Sequence, residues 1–426
     1  MQASTTASTA QTLITQAENV LQANVWPELE AVQYHTFNRV MEAFRHHRVG
    51  EEHFYSVSGY GHDDLGREVT DRVFAEALQA EAALVRLQLV SGTHALAVAL
   101  RGLLHPGDTL TVLTGKPYDT MESVFGLRDS YPHSLTAHGV HYVEHSLLED
   151  ASIPSQEGYV RLVFSPDEVK SIEQARVVYL QRSRGYSLRK TLTIAELAAI
   201  IERVKAINPA AWVLVDNCYG EFIEPNEPTA VGADLMAGSL IKNPGGGIVP
   251  TGGYLAGRAD CVARAAEILT CPGIGSEGGY TFNLTRTVLQ GLFLAPGVVK
   301  EALKGMTLAA WVFQALGYTA LPAWNSPRGD IIQTLGLGSA EALQTFCRVL
   351  QSVSPVNSFL TPVPAEIPGY ADAVIMAGGT FIDGSSIELS ADAPLRPPYT
   401  LFLQGGLSYA HTRYALERLI EQLPSQ

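Results

Sequence analysis

With 426 residues, 46% of them apolar and 17% charged, the chain can bury a large core and is neither disordered nor fibrous. Its formal net charge of −14 disfavours binding to nucleic acid or to an anionic membrane surface. The four cysteines, Cys218, Cys261, Cys271 and Cys347, form no CxxC pair, so neither a disulfide framework nor a zinc knuckle is expected.

The first 24 residues carry no Lys or Arg and therefore no basic signal region or transit peptide. No charge-free apolar run is long enough to span a bilayer, and the expectation is a cytoplasmic protein without a membrane partner. Leu13, Ala17 and Leu21 hint at one helix. Pro27 opens a second, in which Val32, Phe37, Val40, Met41 and Phe44 recur at helical spacing to about Val49. Residues 1–55 thus read as a helical arm, suited to packing and able to clasp a neighbouring copy. The glycine-rich stretch Ser56–Arg67 has no periodicity. It is either a turn before a helix over Glu68–Gln79 or a loop that offers Tyr60 and Arg67 to an anion.

Ala82–Val90 alternates as a strand, and Ser91-Gly92-Thr93 opens a helix over His94–Leu104. Such a turn presents backbone N–H groups and two hydroxyls at a positive helix end, which suits a phosphate, although Ser and Thr are also ordinary N-caps. A strand over Asp108–Leu113 leads to Tyr118, whose ring either covers a flat cofactor or packs at the lip of a sheet. His133, His138, His141 and His145 have no carboxylate or Cys at a ligand spacing, and no metal is expected. Another strand, Ala175–Leu180, precedes Gln181-Arg-Ser-Arg-Gly-Tyr186. Its two arginines suit a carboxylate or phosphate, or form a solvated turn. Thr193 and Glu196 make a capping box for a helix to Ile207.

The strand Trp212–Asp216 ends in a carboxylate, which an apolar strand delivers to a cleft and not to a core. After a short strand near Ala233–Ala237, Lys242 stands in the small, uncharged loop Gly238–Gly247, where a depressed pKa and a nucleophilic amine are expected. A lysine for a Schiff base and a carboxylate for a ring nitrogen are what an aldehyde cofactor with a basic ring needs. A surface lysine and a strand-end aspartate remain the plainer alternative. Ser239-x-x-Lys242 also matches an acyl-transfer motif, but its usual companion motifs are missing. From about residue 70 to 260, strands alternate with helices, which predicts a mostly parallel sheet flanked by helices. The candidate residues fall at or just after strand C-termini, where such sheets bind ligands. Helices are predicted over Thr281–Leu294 and, after Pro296-Gly297, Val298–Leu316. Beyond Pro322, short strands (Asp330–Thr334, Ala373–Ala377, Ser386–Leu389 and Thr400–Leu403) mix with helices over Ala340–Ser352 and Ser408–Leu423. The division expected is a large domain over 56–310 and a smaller α+β C-terminal lobe over 311–426.

In order and spacing, Ser91-Gly-Thr93, Tyr118, Asp216 and Ser239-Leu-Ile-Lys242 resemble fold-type I pyridoxal-phosphate enzymes of the cystathionine and methionine lyase class. Gly59–Arg67, Val90–Ala95, Gln181–Tyr186, Lys242–Gly247 and Gln404–Leu407 resemble the bacterial aluminium-resistance proteins of that class. The resemblance runs from about residue 30 to the C-terminus. It implies a fold-type I, pyridoxal-phosphate-dependent transferase-like architecture with pyridoxal 5'-phosphate as cofactor. It also implies that Lys242 forms the Schiff base, Asp216 faces the pyridinium nitrogen, and Ser91, Gly92, Thr93 and Ser239 bind the phosphate while Tyr118 stacks on the ring. Tyr60 and Arg67 lie where these lyases send a Tyr and an Arg from a neighbouring subunit, although here they are not in the compact Tyr-x-Arg form. Arg184 and Arg396 are the candidates for the substrate carboxylate. The implied reaction is elimination of a thiol from the β or γ carbon of a sulfur amino acid, with Lys242 taking the α-proton. A homo-oligomer, dimer or tetramer, with a shared active site is expected. Another pyridoxal-phosphate reaction (transamination, aldol cleavage or decarboxylation) and a non-catalytic stress protein of the same fold remain the alternatives.

Overall fold

The computed structural model describes residues 2–128, 131–149, 157–366 and 372–422, with side chains from residue 10 onward. In chain order its strands are β1 (Ala82–Arg86), β2 (Thr109–Val112), β3 (His141–Glu144), β4 (Leu148–Glu149), β5 (Tyr159–Val160), β6 (Ala175–Gln181) and β7 (Trp212–Asp216). They continue as β8 (Leu235–Ser239), β9 (Gly253–Gly257), β10 (Thr319–Leu321), β11 (Ile332–Gly336), β12 (Val374–Ala377), β13 (Ser390–Pro394) and β14 (Thr400–Gln404). Seven of these form one sheet in the order β1-β9-β8-β7-β6-β2-β3. Only β9 runs against its neighbours.

The large sheet is buried on both faces, as parallel sheets are. Strand alternation sorts its side chains between two cores. Val178, Leu180, Val213, Val215 and Met236 point to one, where Val40 and Ala43 of the helix Trp26–His46 also pack. Val177, Tyr179, Leu214 and Leu235 point to the other, beneath Leu96 and Leu100 of the helix Gly92–Leu103. Apolar residues in continuous runs along β6 and β7 are the signature of that double burial.

A second, antiparallel sheet has the order β10-β11-β14-β13-β12. Its core takes in Ile14, Ala17 and Leu21 of the helix Gln2–Asn24, so the N-terminus packs with the C-terminal part of the same chain. Three of the differences between predicted and observed elements bear on the fold or the site. Strand β1 ends at Arg86, and the chain turns over Leu87–Gln88 before the Ser91 cap. Where two helices are predicted around Pro296, a single helix runs from Thr285 to Ala315. A proline inside a helix costs about 3 kcal/mol, and burial of Leu292, Val299, Leu303, Met306 and Val312 on either side outweighs it. Finally, Ser386–Leu389 is a buried loop and the strand begins at Ser390. That shift delivers Ser385 and Ser386 to the site described next.

Candidate functional site

A cavity of about 500 Å³ opens at the C-terminal ends of β6, β7 and β8 and is closed on its far side by β12, β13 and the loop between them. Ser91, Gly92, Thr93, Tyr118, Asp216, Ser239 and Lys242 all line it. These seven predicted residues are far apart in sequence. They meet because each follows a strand whose C-terminal end faces the same crevice.

Ser91 caps the helix Gly92–Leu103, its Oγ accepting from the His94 N–H at 3.0 Å. The first N–H groups of a helix have no intrahelical partner and point outward, and the dipole is positive there. Gly92 is needed for closeness: a Cβ at this position would meet Cys218 Sγ at 2.9 Å. Thr93 pairs its hydroxyl with that of Thr120 at 2.6 Å. Tyr118 is held by its own N–H, which donates to Gln181 Oε1 at 2.8 Å, and its ring meets Tyr186 edge-on at 5.6 Å.

Asp216 is buried at the end of β7. It accepts from the Cys218 N–H at 3.1 Å and from the Tyr179 hydroxyl at 3.2 Å. Burial raises its pKa, while Lys242 and these hydrogen bonds pull the other way. The Lys242 ammonium sits 3.9 Å from the centroid of the Tyr219 ring, itself presented by a backbone with φ of +71°. The expectation of a depressed amine pKa is corrected here. Burial does oppose the charge, but Cys218, Tyr219, Asp216 and Glu221 surround the nitrogen and together hold its pKa above the ordinary lysine value. A glycine-rich loop says nothing of the acidic groups that the preceding strand brings beside it. One of these, Glu221, is buried, accepts from the Tyr254 hydroxyl at 2.7 Å, and is pushed up to about 8, mainly by burial.

The other four predicted residues do not line this cavity. Tyr60 is 81% exposed. Arg67 is buried against its own loop, donating to the Gly61 and Gly279 carbonyls at 2.5 and 3.4 Å. Arg184 is buried directly behind the cavity wall formed by Ser183 and Gly185, paired with Glu157 at 2.7 Å. Arg396 pairs with Asp372 at 2.5 Å and lines a separate hollow beside Tyr186 and Pro397.

Residues that the sequence reading passed over complete the picture. Arg189, half-buried, and Arg328, buried, lie near Arg184, and loss of water contact pushes both guanidinium groups down to about 10. Nε and Nη1 of Arg184 and of Arg328 have no hydrogen-bond partner. Asp392 and Gln404 line the far wall. Asp392 carries no sequence signal, and Gln404 shows only as the start of the Gln404–Leu407 run, since the wall they face lies more than a hundred residues away in sequence.

The chemistry of this donor set fits pyridoxal phosphate. A helix start with a glycine at its closest approach suits the phosphate dianion. A buried carboxylate whose pKa is raised by its surroundings gains from a cationic ring nitrogen. A lysine amine stands within the same enclosed volume.

Comparisons with known proteins agree with that geometry. The methionine gamma-lyase family model matches residues 10–424. A carbon–sulfur lyase involved in aluminium resistance from Clostridium novyi NT is 41% identical, with a TM-score of 0.89 over 97% of this chain and 96% of that one. An uncharacterized Bacillus subtilis protein, YnbB, is 44% identical over 402 residues, 94% of this chain and 93% of that protein. The pyridoxal-5'-phosphate dependent protein YhfS of Escherichia coli is 16% identical with a TM-score of 0.60, a likeness of fold, over 92% of this chain and 96% of that one. With its parallel sheet, its antiparallel second sheet and its site at the strand ends, the chain has the fold-type I architecture of pyridoxal-phosphate enzymes and belongs to the methionine gamma-lyase family.

Proposed function

We propose that this chain is a pyridoxal-phosphate-dependent carbon–sulfur lyase that releases a thiol from the β or γ carbon of a sulfur amino acid. The observation that carries the reading is the meeting of Lys242, Asp216 and the Ser91–Thr93 helix start on one cavity. When bound, the cofactor supplies an aldehyde that captures the substrate amine and a cationic ring that takes up an electron pair.

The chain's own residues do the rest. The Gly92 and Thr93 N–H groups and the helix dipole hold the phosphate, with the Ser91 and Ser239 hydroxyls beside them. Asp216, shielded from water and fixed by Tyr179 and Cys218, keeps a proton on the ring nitrogen. Lys242 takes the α-proton, a role that needs its amine in the neutral form. Tyr118 or Lys242 returns a proton to the departing sulfur. Proton transfer of this kind contributes about 10²–10⁴-fold in rate. The substrate carboxylate is drawn toward the wall backed by Arg184, Arg189 and Arg328, a positive potential that Glu157 and Asp330 only partly cancel. Arg396, turned to Asp372, is the weaker candidate.

Tyr60 serves a second copy of the chain in this reading. Exposed Tyr55, Tyr60, Ile274 and Phe282 lie on two loops joined by the Gly279 N–H to Tyr60 carbonyl bond, an apolar patch of the kind that subunits cover.

The test is a visible spectrum of the purified protein with the vitamer supplied, before and after borohydride, followed by peptide mapping. The label is expected on Lys242, with release of a keto acid and ammonia from a cysteine thioether. Lys242→Ala is expected to lose the reducible chromophore and at least about 10²-fold in turnover. Full turnover in that variant would end the proposal, amino transfer without ammonia would redirect it to a transaminase, and a bound chromophore that no amino acid perturbs would point to a non-catalytic protein.

A further inference from the structure

The cavity has two unlike walls. On the sheet side stand Lys242, Asp216 and the helix start. The opposite wall, from β12 through β13, presents Met376, Thr380, Asp383, Ser385, Ser386 and Asp392. Among the described residues that line the cavity, Lys242 is the only Lys or Arg, so the far wall carries carboxylates and hydroxyls with no cation of its own.

This wall is built into the fold. Along β13, Ala391 and Ala393 point into the core of the second sheet, and the period of two turns Ser390 and Asp392 to the cavity. Gln404, at the end of the adjacent strand β14, donates through Nε2 to Asp392 Oδ2 at 3.1 Å, and the Tyr186 side chain lies close enough to lower the Asp392 pKa. Tyr186 in turn packs on Tyr118, which ties Asp392 to the reacting end of the cavity. Burial pushes the Asp392 carboxyl up to about 6, so a cationic neighbour would be gained at neutral pH. On the same wall, Ser385 and Ser386 are 2% and 3% exposed, and their hydroxyls have no hydrogen-bond partner. Buried hydroxyls without partners are costly, and two adjacent ones on a cavity wall point to a ligand that satisfies them.

An ammonium has three N–H donors and accepts none. One carboxylate and two hydroxyl oxygens on one wall match that demand, whereas the methyl end of methionine would leave all three unpaired.

We propose that Asp392, Ser385 and Ser386 form a side-chain subsite selecting sulfur amino acids whose substituent beyond the sulfur ends in an ammonium, in preference to uncharged thioethers. The assignment rests on the lyase reading of the same cavity and deepens it by naming the substrate class.

Two cysteine thioethers of equal length separate the possibilities: S-(2-aminoethyl)-cysteine and S-propyl-cysteine share the α-amino acid and differ only at the tip. With the holoenzyme, kcat/KM for the aminoethyl compound should exceed that for the propyl compound by about tenfold or more, the range of a charge-assisted hydrogen bond. In Asp392→Asn this ratio should fall to near one, with the propyl compound little affected. If neither compound is turned over, the lyase reading fails, and calorimetric binding of the same pair still decides the subsite by the same ratio. Should Asp392→Asn not fold, as judged by circular dichroism, the ratio is read in the Ser385→Ala, Ser386→Ala double variant, where it should drop several-fold. Equal use of the two compounds by the unaltered protein would overturn the proposal. So would equal losses for both in Asp392→Asn, which would place that carboxylate on the shared α-amino group, or an unchanged ratio in the double serine variant.

Discussion

At the residue scale, two positions carry consequences beyond Lys242. Gly92 lets the helix start come within touching distance of Cys218. In Gly92→Ala the new Cβ would stand 2.9 Å from the Cys218 sulfur, closer than real Cβ atoms come, and overpacking of this sort costs about 1–3 kcal/mol. The expected outcome is weaker retention of pyridoxal phosphate, read by titration of the visible band, with the fold preserved by circular dichroism. Unchanged cofactor affinity would remove the helix start from the phosphate site.

Glu221 makes a prediction about pH. Its carboxyl is raised from 4.5 to about 8, chiefly by burial, with Glu227 adding to the rise while Tyr254 and Lys242 oppose it. The native state therefore holds a proton that the unfolded chain has already lost. The stabilisation is complete below about pH 4.5, declines as pH rises, and is gone once the folded group ionises near pH 8. Glu221→Gln cannot ionise and still offers Tyr254 an acceptor. Its melting temperature should fall less between pH 5 and 9 than that of the unaltered protein; parallel curves would count against a protonated Glu221.

Elements were read with uneven success, and the reasons are physical. Strands β6 and β7 announce themselves as apolar runs because both their faces are buried. The box of Thr193 and Glu196 is local chemistry, and it caps the helix at the predicted residue. Pro296 misleads because its cost is local while the compensating burial comes from the rest of the molecule. The helix Gln2–Asn24 has a weak pattern in a polar sequence, yet Ile14, Ala17 and Leu21 are fully buried in the second core. Truncating Ile14 to Ala should cost about 2–5 kcal/mol in urea unfolding. A cost near zero would mean that this helix is only loosely attached.

For the whole molecule, the proposed sharing of the site between subunits gives a test that neither subunit passes alone. Tyr60 is exposed and lies away from the cavity of its own chain. If it completes the cavity of a second copy, mixing Tyr60→Ala with Lys242→Ala after dissociation should restore up to about a quarter of the activity, since half the dimers are mixed and each has one intact site. No restoration, or a monomer by light scattering, would sink the shared site.

The sequence by itself determined that Lys242, Asp216 and the Ser91–Thr93 turn meet on one cavity: each sits at or just past the end of an apolar strand, and strand ends of a parallel sheet share one edge. Only the tertiary structure decided the electrostatics and the far wall. Neighbouring groups raise the Lys242 pKa, and Asp392, Ser385 and Ser386 come from the second sheet and the loop between two of its strands. Periodicity and capping act over a few residues, and so leave a trace in the order of amino acids. Burial, charge neighbours and the opposing faces of a cavity arise when distant segments pack, and no local pattern records them.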